Sequence, residues 1–249
     1  MNINIYSFLL PIFAGLSTLL GTILIFFKYK NTDNILINTL AFAAGVMITI
    51  SFTDLIPESY DLISNYFYKI PTILVLLIFF CLGNIIALFI DKKLKGKGSN
   101  SNLYNVGIIS MLAIILHNIP EGMVTFIATS SNLKLGISLT LAIMFHNIPE
   151  GISISVPIYY ATKKKSRAIG YTLISALSEP LGALLTFLFL RNYINNFILG
   201  ILYAMIAGIM IHIAIYELIP ESLSYKKLKN TLFYVFLGII ITILATTLF

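Results

Sequence analysis

The six residues HNIPEG occur at 117–122 and again at 146–151, and each copy brings together an imidazole, an amide and a carboxylate. Residues three and four apart lie on neighbouring flanks of an α-helix. His117, Asn118 and Glu121 therefore share one polar face, and His146, Asn147 and Glu150 share another. Nitrogen and oxygen donors without thiolates suit first-row divalent ions that must be released again, and such groups also relay protons. A third carboxylate of the same kind is Glu179 in LSEPLG at 177–182, again followed by a proline.

These groups sit in long apolar runs. Of the 249 residues 58% are hydrophobic and only 10% charged, too few to clothe a soluble domain of this size, so the lipid bilayer is the expected surrounding. Runs long enough to cross it fall at about 5–27, 35–57, 71–90, 103–129, 135–160, 168–190, 197–220 and 231–249. The sequence thus predicts an all-α integral membrane protein of eight transmembrane helices forming one polytopic domain. Its only long polar connection is a flexible loop at 91–102, DKKLKGKGSNSN. The first run has no preceding basic residue and no small-residue cleavage pattern, and reads as a retained span. The single Cys81 excludes an intrachain disulfide and a cysteine-based metal site.

Eight crossings put both termini on one face. With both outside, all but Lys69, Lys134 and Arg191 of the 16 basic residues fall in inner connections, the bias that the positive-inside rule requires. The net charge of +6 is thereby assigned to topology, and a nucleic-acid partner is excluded.

The chain also repeats itself. AFAAGVMITISFTDLIPES at 41–59 and AMIAGIMIHIAIYELIPES at 204–222 agree at 11 of 19 positions, with Asp54 against Glu217. LSTLLGTILIF at 16–26 and LSEPLGALLTF at 177–187 agree at six of eleven. Each match joins helices an odd number of spans apart, so the copies run in opposite directions. The expected plan is a 3+2+3 inverted repeat around a two-fold axis in the membrane plane, an arrangement that places substrate sites near the midplane.

Both HNIPEG copies and Glu179 fall near the middle of their spans. Pro120 and Pro149 cannot donate to the carbonyls of Leu116 and Phe145, which predicts kinks and freed carbonyls beside the polar groups. A charge at the bilayer centre costs about 2.5–3.5 kcal/mol, so three carboxylates cost on the order of 8–10. No Lys or Arg lies within the spans to neutralise them, which leaves protons or a metal cation as the countercharge.

The eight spans, the inverted arrangement and the paired HNIPEG motifs resemble the ZIP (Zrt-, Irt-like) family of divalent metal transporters, in particular its short bacterial ZupT type. The resemblance covers essentially the whole chain. It implies a binuclear centre with Asn118, Glu121, Asn147, Glu150 and Glu179 around one ion. Glu121, His146 and Glu150, joined by His117, would surround the other, so that Glu121 and Glu150 bridge the two. It further implies no prosthetic group and no enzyme. The substrate would be zinc, with iron, manganese, cobalt and cadmium as possible further ions, taken up through the cell membrane into the cytoplasm by a homodimer. In the family's proposed motion the first, fourth, fifth and sixth helices slide against the other four. Some members carry Asp or Gln where this chain has Asn147 or His146, and a neutral Asn removes a charge that would hold a second ion. Residues 91–102 contain no His, so the His-rich loop of eukaryotic relatives is not matched.

Other polar residues carry plainer readings. His212 is expected to make an interhelical hydrogen bond, and Met47 and Met210 to pack as paired core residues. Asp54, Glu58, Glu217 and Glu221 are helix-end carboxylates that also stand where entrance and exit relays would lie. Two further functions are open to the same residues. One is an intramembrane metal-dependent hydrolase, against which stands the lack of H-E-x-x-H. The other is a proton or sodium path without metal.

Overall fold

Asparagine side chains decide where three of the membrane helices begin. In the computed structural model, which describes residues 3–28, 31–95, 102–190 and 195–248, the amide oxygen of Asn31 accepts from the Asn34 N–H at 3.1 Å. That of Asn132 accepts from Lys134 and Leu135, and that of Asn195 from Ile198 at 3.0 Å. Each cap satisfies donors that a helix start leaves unpaired.

Among the described residues eight helices are long and apolar enough to cross a membrane. They are α1 (Tyr6–Phe26), α2 (Thr32–Ser64), α3 (Lys69–Lys93), α4 (Leu103–Ser131), α5 (Leu133–Thr162), α6 (Lys165–Phe189), α7 (Asn196–Ser224) and α8 (Leu228–Thr246). Several outrun the apolar windows because their polar end turns belong to the interface: α2 passes residue 57 by seven positions and α7 passes 220 by four. Helix also continues through Asp91–Lys95, which corrects the reading of that stretch as loop. Lysine stems can lie along a helix while their charged ends reach water. Of the rest of the expected loop, Asn102 already opens the next helix and 96–101 lie outside the described residues, as do Lys30, Arg191 and Phe249.

Burial separates the helices into inner and outer members. In the most apolar windows of α2 and α7, 72% of residues are buried, against 17% in α3 and α8. The outer pair thus presents Leu74, Ile78, Ile85, Phe89, Phe233, Phe236 and Leu244 outward, a surface suited to acyl chains.

The inverted repeat extends to single contacts. Ser59 Oγ donates to the carbonyl of Gly200 (2.7 Å) and Ser222 Oγ to that of Ile37 (3.1 Å), partners related by the offset that aligns 41–59 with 204–222. Both α2 and α7 widen from α to π geometry at matching places, Ser51–Leu55 and Ala214–Leu218, just before Pro57 and Pro220. A Cβ on Gly45 would strike the carbonyl of Val235, and one on Gly238 that of Phe42. In the other half, Gly208 meets Phe80 and Gly83 meets Met205 in the same way.

A second set of crossings joins α1 to α5 and α4 to α6. Gly151 lies against the Thr18 carbonyl and Gly21 against that of Ile148; their mates Gly122 and Gly182 lie against Glu179 and Ile119. Glycine permits this backbone approach, which is how membrane helices pack without a hydrophobic driving force. The close crossings thus fall into two groups, one within α1, α4, α5 and α6 and one within α2, α3, α7 and α8.

Candidate metal centre

Helices α4 and α5 run unbroken through Pro120 and Pro149 and carry the two HNIPEG segments past each other. His146 Nε2 lies 2.8 Å from Glu121 Oε1, an interhelical hydrogen bond. His117 Nε2 is 3.1 Å from the same oxygen and 3.4 Å from Glu150 Oε1, within ion-pair range but without hydrogen-bond angles. Donor atoms of His117, Glu121 and His146 all fall within 4.8 Å of one another, and the two imidazole centroids are 6.1 Å apart.

Glu179 enters from α6. Its Oε2 accepts from Asn147 Nδ2 at 3.0 Å, and the same amide donates to the Ala14 carbonyl of α1 at 2.9 Å. Asn118 Nδ2 donates to the Ser175 carbonyl of α6 at 3.4 Å, the matching bond of the other half. All seven sequence-predicted residues therefore lie along the α4–α5 contact or reach it from α6. Six are buried, and the His146 side chain alone keeps 16% exposure.

Oxygens with no donor converge on this region. Among the described residues, Glu121 Oε2, both Glu150 oxygens, Glu179 Oε1, Asn118 Oδ1 and Asn147 Oδ1 have no hydrogen-bond partner. Leaving such acceptors unsatisfied out of water costs free energy at each. A cation satisfies several acceptors at once. The amide nitrogens, turned to backbone carbonyls and to Glu179, leave the amide oxygens free for this purpose.

A cavity of about 510 Å³ reaches the centre from the end where α2 and α8 finish and α5 starts. Glu121 and His146 line its floor, and the exposed carboxylates of Asp54, Glu58 and Asp61 line its upper wall beside Tyr203. Toward the other face, buried side chains fill the bundle: Val106, Ile109, Ile154, Val156 and Ile158 pack with Leu40, Met47 and Ile213. Asp61 and Tyr203 were not singled out from sequence. The signal for Asp61 was available, since it stands three positions after Glu58; Tyr203 has no motif around it.

The remaining polar residues separate. Met47 and Met210 are core residues. His212 Nδ1 lies 3.3 Å from Asn84 Oδ1 of α3, the expected interhelical bond. Donor atoms of His212, Glu217 and Asp91 also gather within 4.8 Å, a grouping that distance along the chain conceals. Glu221 stays at the end of α7.

Eight apolar helices arranged as an inverted repeat, with imidazoles and carboxylates collected where the two halves meet, define a multi-pass membrane protein with a buried polar cluster at its centre. The comparisons with known proteins carry this to a family. The family described as ZIP Zinc transporter matches residues 93–246, and the chain belongs to it. The zinc transporter ZupT of Campylobacter jejuni is 38% identical over 97% of this chain and 96% of its own. That of Oceanobacillus iheyensis is 36% identical over 96% of each, and that of Clostridium perfringens 35% identical over 100% and 98%. The chain is accordingly a ZupT-type member of the family, a membrane transporter and not an enzyme.

Proposed function

We propose that this protein carries zinc, and with it other divalent ions such as iron, manganese, cobalt and cadmium, through the cell membrane into the cytoplasm by way of a two-ion site. His117, Asn118, Glu121, His146, Asn147, Glu150 and Glu179 are its ligands, and Glu121 and Glu150 bridge the ions. The observation that carries this reading is the set of buried carboxylate and amide oxygens without donors, in a bundle where every Lys and Arg among the described residues lies in a connection or at a helix end. Only cations or protons can balance three carboxylates there.

An ion arriving through the cavity meets Asp54, Glu58 and Asp61 first, then Glu121 and His146, and only then Glu150 and Glu179. The mixed imidazole, carboxylate and amide set lacks the thiolates of permanent zinc sites, which suits an ion that must leave again. The charge bias supports termini outside, so that the cavity faces outward and the basic turns face the cytoplasm. The family resemblance supports a homodimer.

Uptake into proteoliposomes with a panel of divalent ions tests the reading. Wild-type protein should accumulate zinc, and correctly inserted Glu150→Ala protein should lose more than the roughly 10–100-fold that weakened outer-shell partners cost. Undiminished zinc uptake by Glu150→Ala would remove Glu150 from the site; proton or sodium conductance with no metal uptake would favour the metal-free path instead.

A further inference from the structure

The two-fold relation that pairs Asn118 with Asn147 and Glu121 with Glu150 pairs Glu179 with a residue outside the seven ligands, Thr18. Alignment of 16–26 with 177–187 sets these two opposite each other. The structure keeps the relation in detail. The Glu179 carbonyl abuts Gly122 and the Thr18 carbonyl abuts Gly151. Asn118 and Asn147 donate to the matching carbonyls of Ser175 and Ala14. Ser17 and Ser178, each beside its member of the pair, donate to those same two carbonyls.

The halves differ here in backbone and in chemistry: Thr18 opens a 3-10 stretch, Thr18–Phe26, where Glu179 lies in α-helix. Glu179 accepts from Asn147, but the Thr18 hydroxyl makes no hydrogen bond among the described residues, and neither does Asn118 Oδ1. Thr18 is fully buried. Most buried helical threonines, Thr49, Thr140, Thr172 and Thr186 among them, donate to the carbonyl one turn back, and Thr125 is the other whose hydroxyl has no partner among the described residues. At the head of its 3-10 stretch, the Thr18 hydroxyl donates neither to the Ala14 carbonyl, already taken by Asn147 and Ser17, nor to that of Gly15 three positions back, the kind of bond that Thr22 makes to Leu19. The Thr18 methyl lies on the Gly151 side, which leaves the oxygen to point away from that crossing. A threonine oxygen ends two bonds short of a glutamate oxygen, a shortfall of about 2.5 Å. That is roughly the space of one water molecule.

We propose that Thr18 is a specificity-determining residue. Its hydroxyl holds one water in the sixth oxygen position of the ion surrounded by Asn118, Glu121, Asn147, Glu150 and Glu179. This rests on the transport reading above and adds a coordination number to it. Two-fold mates stand on opposite sides of their axis, so an ion held on that axis would have the Thr18 position and Glu179 on opposite sides. Six oxygen positions are what manganese and similar hard ions require, whereas zinc is content with four. The neutral Thr18 pole therefore governs which ions besides zinc are accepted.

The test is uptake of manganese and zinc into proteoliposomes by wild-type, Thr18→Val and Thr18→Ser proteins. Valine keeps the shape and removes the hydroxyl. It should lower the manganese-to-zinc uptake ratio about tenfold, the worth of one such interaction, and serine should restore it. Thr18→Glu, whose side chain the mirror position already accommodates, should bind manganese more tightly in detergent, a gain that misfolding cannot imitate. Should the valine protein fail to insert, the Thr18→Glu measurement decides. An unchanged ratio in Thr18→Val, manganese binding no tighter in Thr18→Glu, or a wild type that takes zinc but no manganese, overturns the assignment while leaving zinc transport intact. A wild type that moves neither ion overturns the transport reading and this inference together.

Discussion

Asp54, Glu58 and Asp61 are exposed on a cavity whose floor holds Glu121. Thr53 Oγ1 donates to Asp54 Oδ2 at 2.8 Å, which fixes that carboxylate at the wall without cancelling its charge. Carboxylates so placed raise the local concentration of cations but do not need to bind them, because low-dielectric walls focus the field of a lined cleft. The double substitution Asp54→Asn with Glu58→Gln should therefore slow zinc uptake several-fold at low ionic strength, and the difference should fade as salt approaches 0.1 M, where the Debye length is about 10 Å. A defect that salt leaves untouched would mean that these residues bind the ion directly or hold the helix end. Glu121 and Glu150 belong to another regime, since burial keeps salt from screening them and their loss should be felt equally at any ionic strength.

At the scale of helices, stability rests on backbone meeting backbone. Gly151→Ala would place a methyl group in the carbonyl of Thr18, so α1 and α5 would have to separate; overpacking of this kind costs about 1–3 kcal/mol. Gly170→Ala, where no atom lies within 4 Å, provides the comparison, and alanine there should be neutral or stabilising. Thermal unfolding in detergent should lower the midpoint for the first and not for the second. Equal midpoints would show that the crossing yields more easily than its geometry suggests. The ligand-bearing residues were legible in the sequence because His, Asn and Glu interrupt apolar runs where every polar group is expensive. The start of α5 was equally legible in Asn132, yet an apolar window skips the polar first turn and placed the start at 135. Asp91–Lys95 was misread for the reverse reason, since charge density indicates water and not the absence of helix. The π turns were hidden, because a change of hydrogen-bond register needs no particular residue type. The cavity wall was hidden too, since the gathering of Tyr203, Glu58 and Glu121 around one space depends on how α7 leans against α2 and α4.

For the molecule as a whole, orientation and assembly are open to direct measurement. An epitope at the C-terminus should be reached by antibody on intact spheroplasts, as the charge bias requires. Cys81 is the sole cysteine and is exposed on α3, so mild oxidation should link two copies if α3 faces its mate in the proposed dimer. An epitope reached only after permeabilisation would reverse the direction of transport assigned to the cavity, and monomers under oxidation would move the dimer contact away from Cys81. The wide turns of α2 and α7 hold a record of a different sort. A π turn spends one residue more than the α-helix on either side of it, and such turns gather at functional sites. Both halves spend that residue at the same register, Ser51–Leu55 and Ala214–Leu218. Two independent insertions at one place are the less economical history. The extra residue was therefore already present in the ancestral half before it was copied and turned over, and the carboxylate it carries at one register has since come to different surroundings, exposed as Asp54 in one half and buried as Glu217 in the other. The difference between threonine and glutamate that now tells the halves apart at Thr18 and Glu179 came after the duplication.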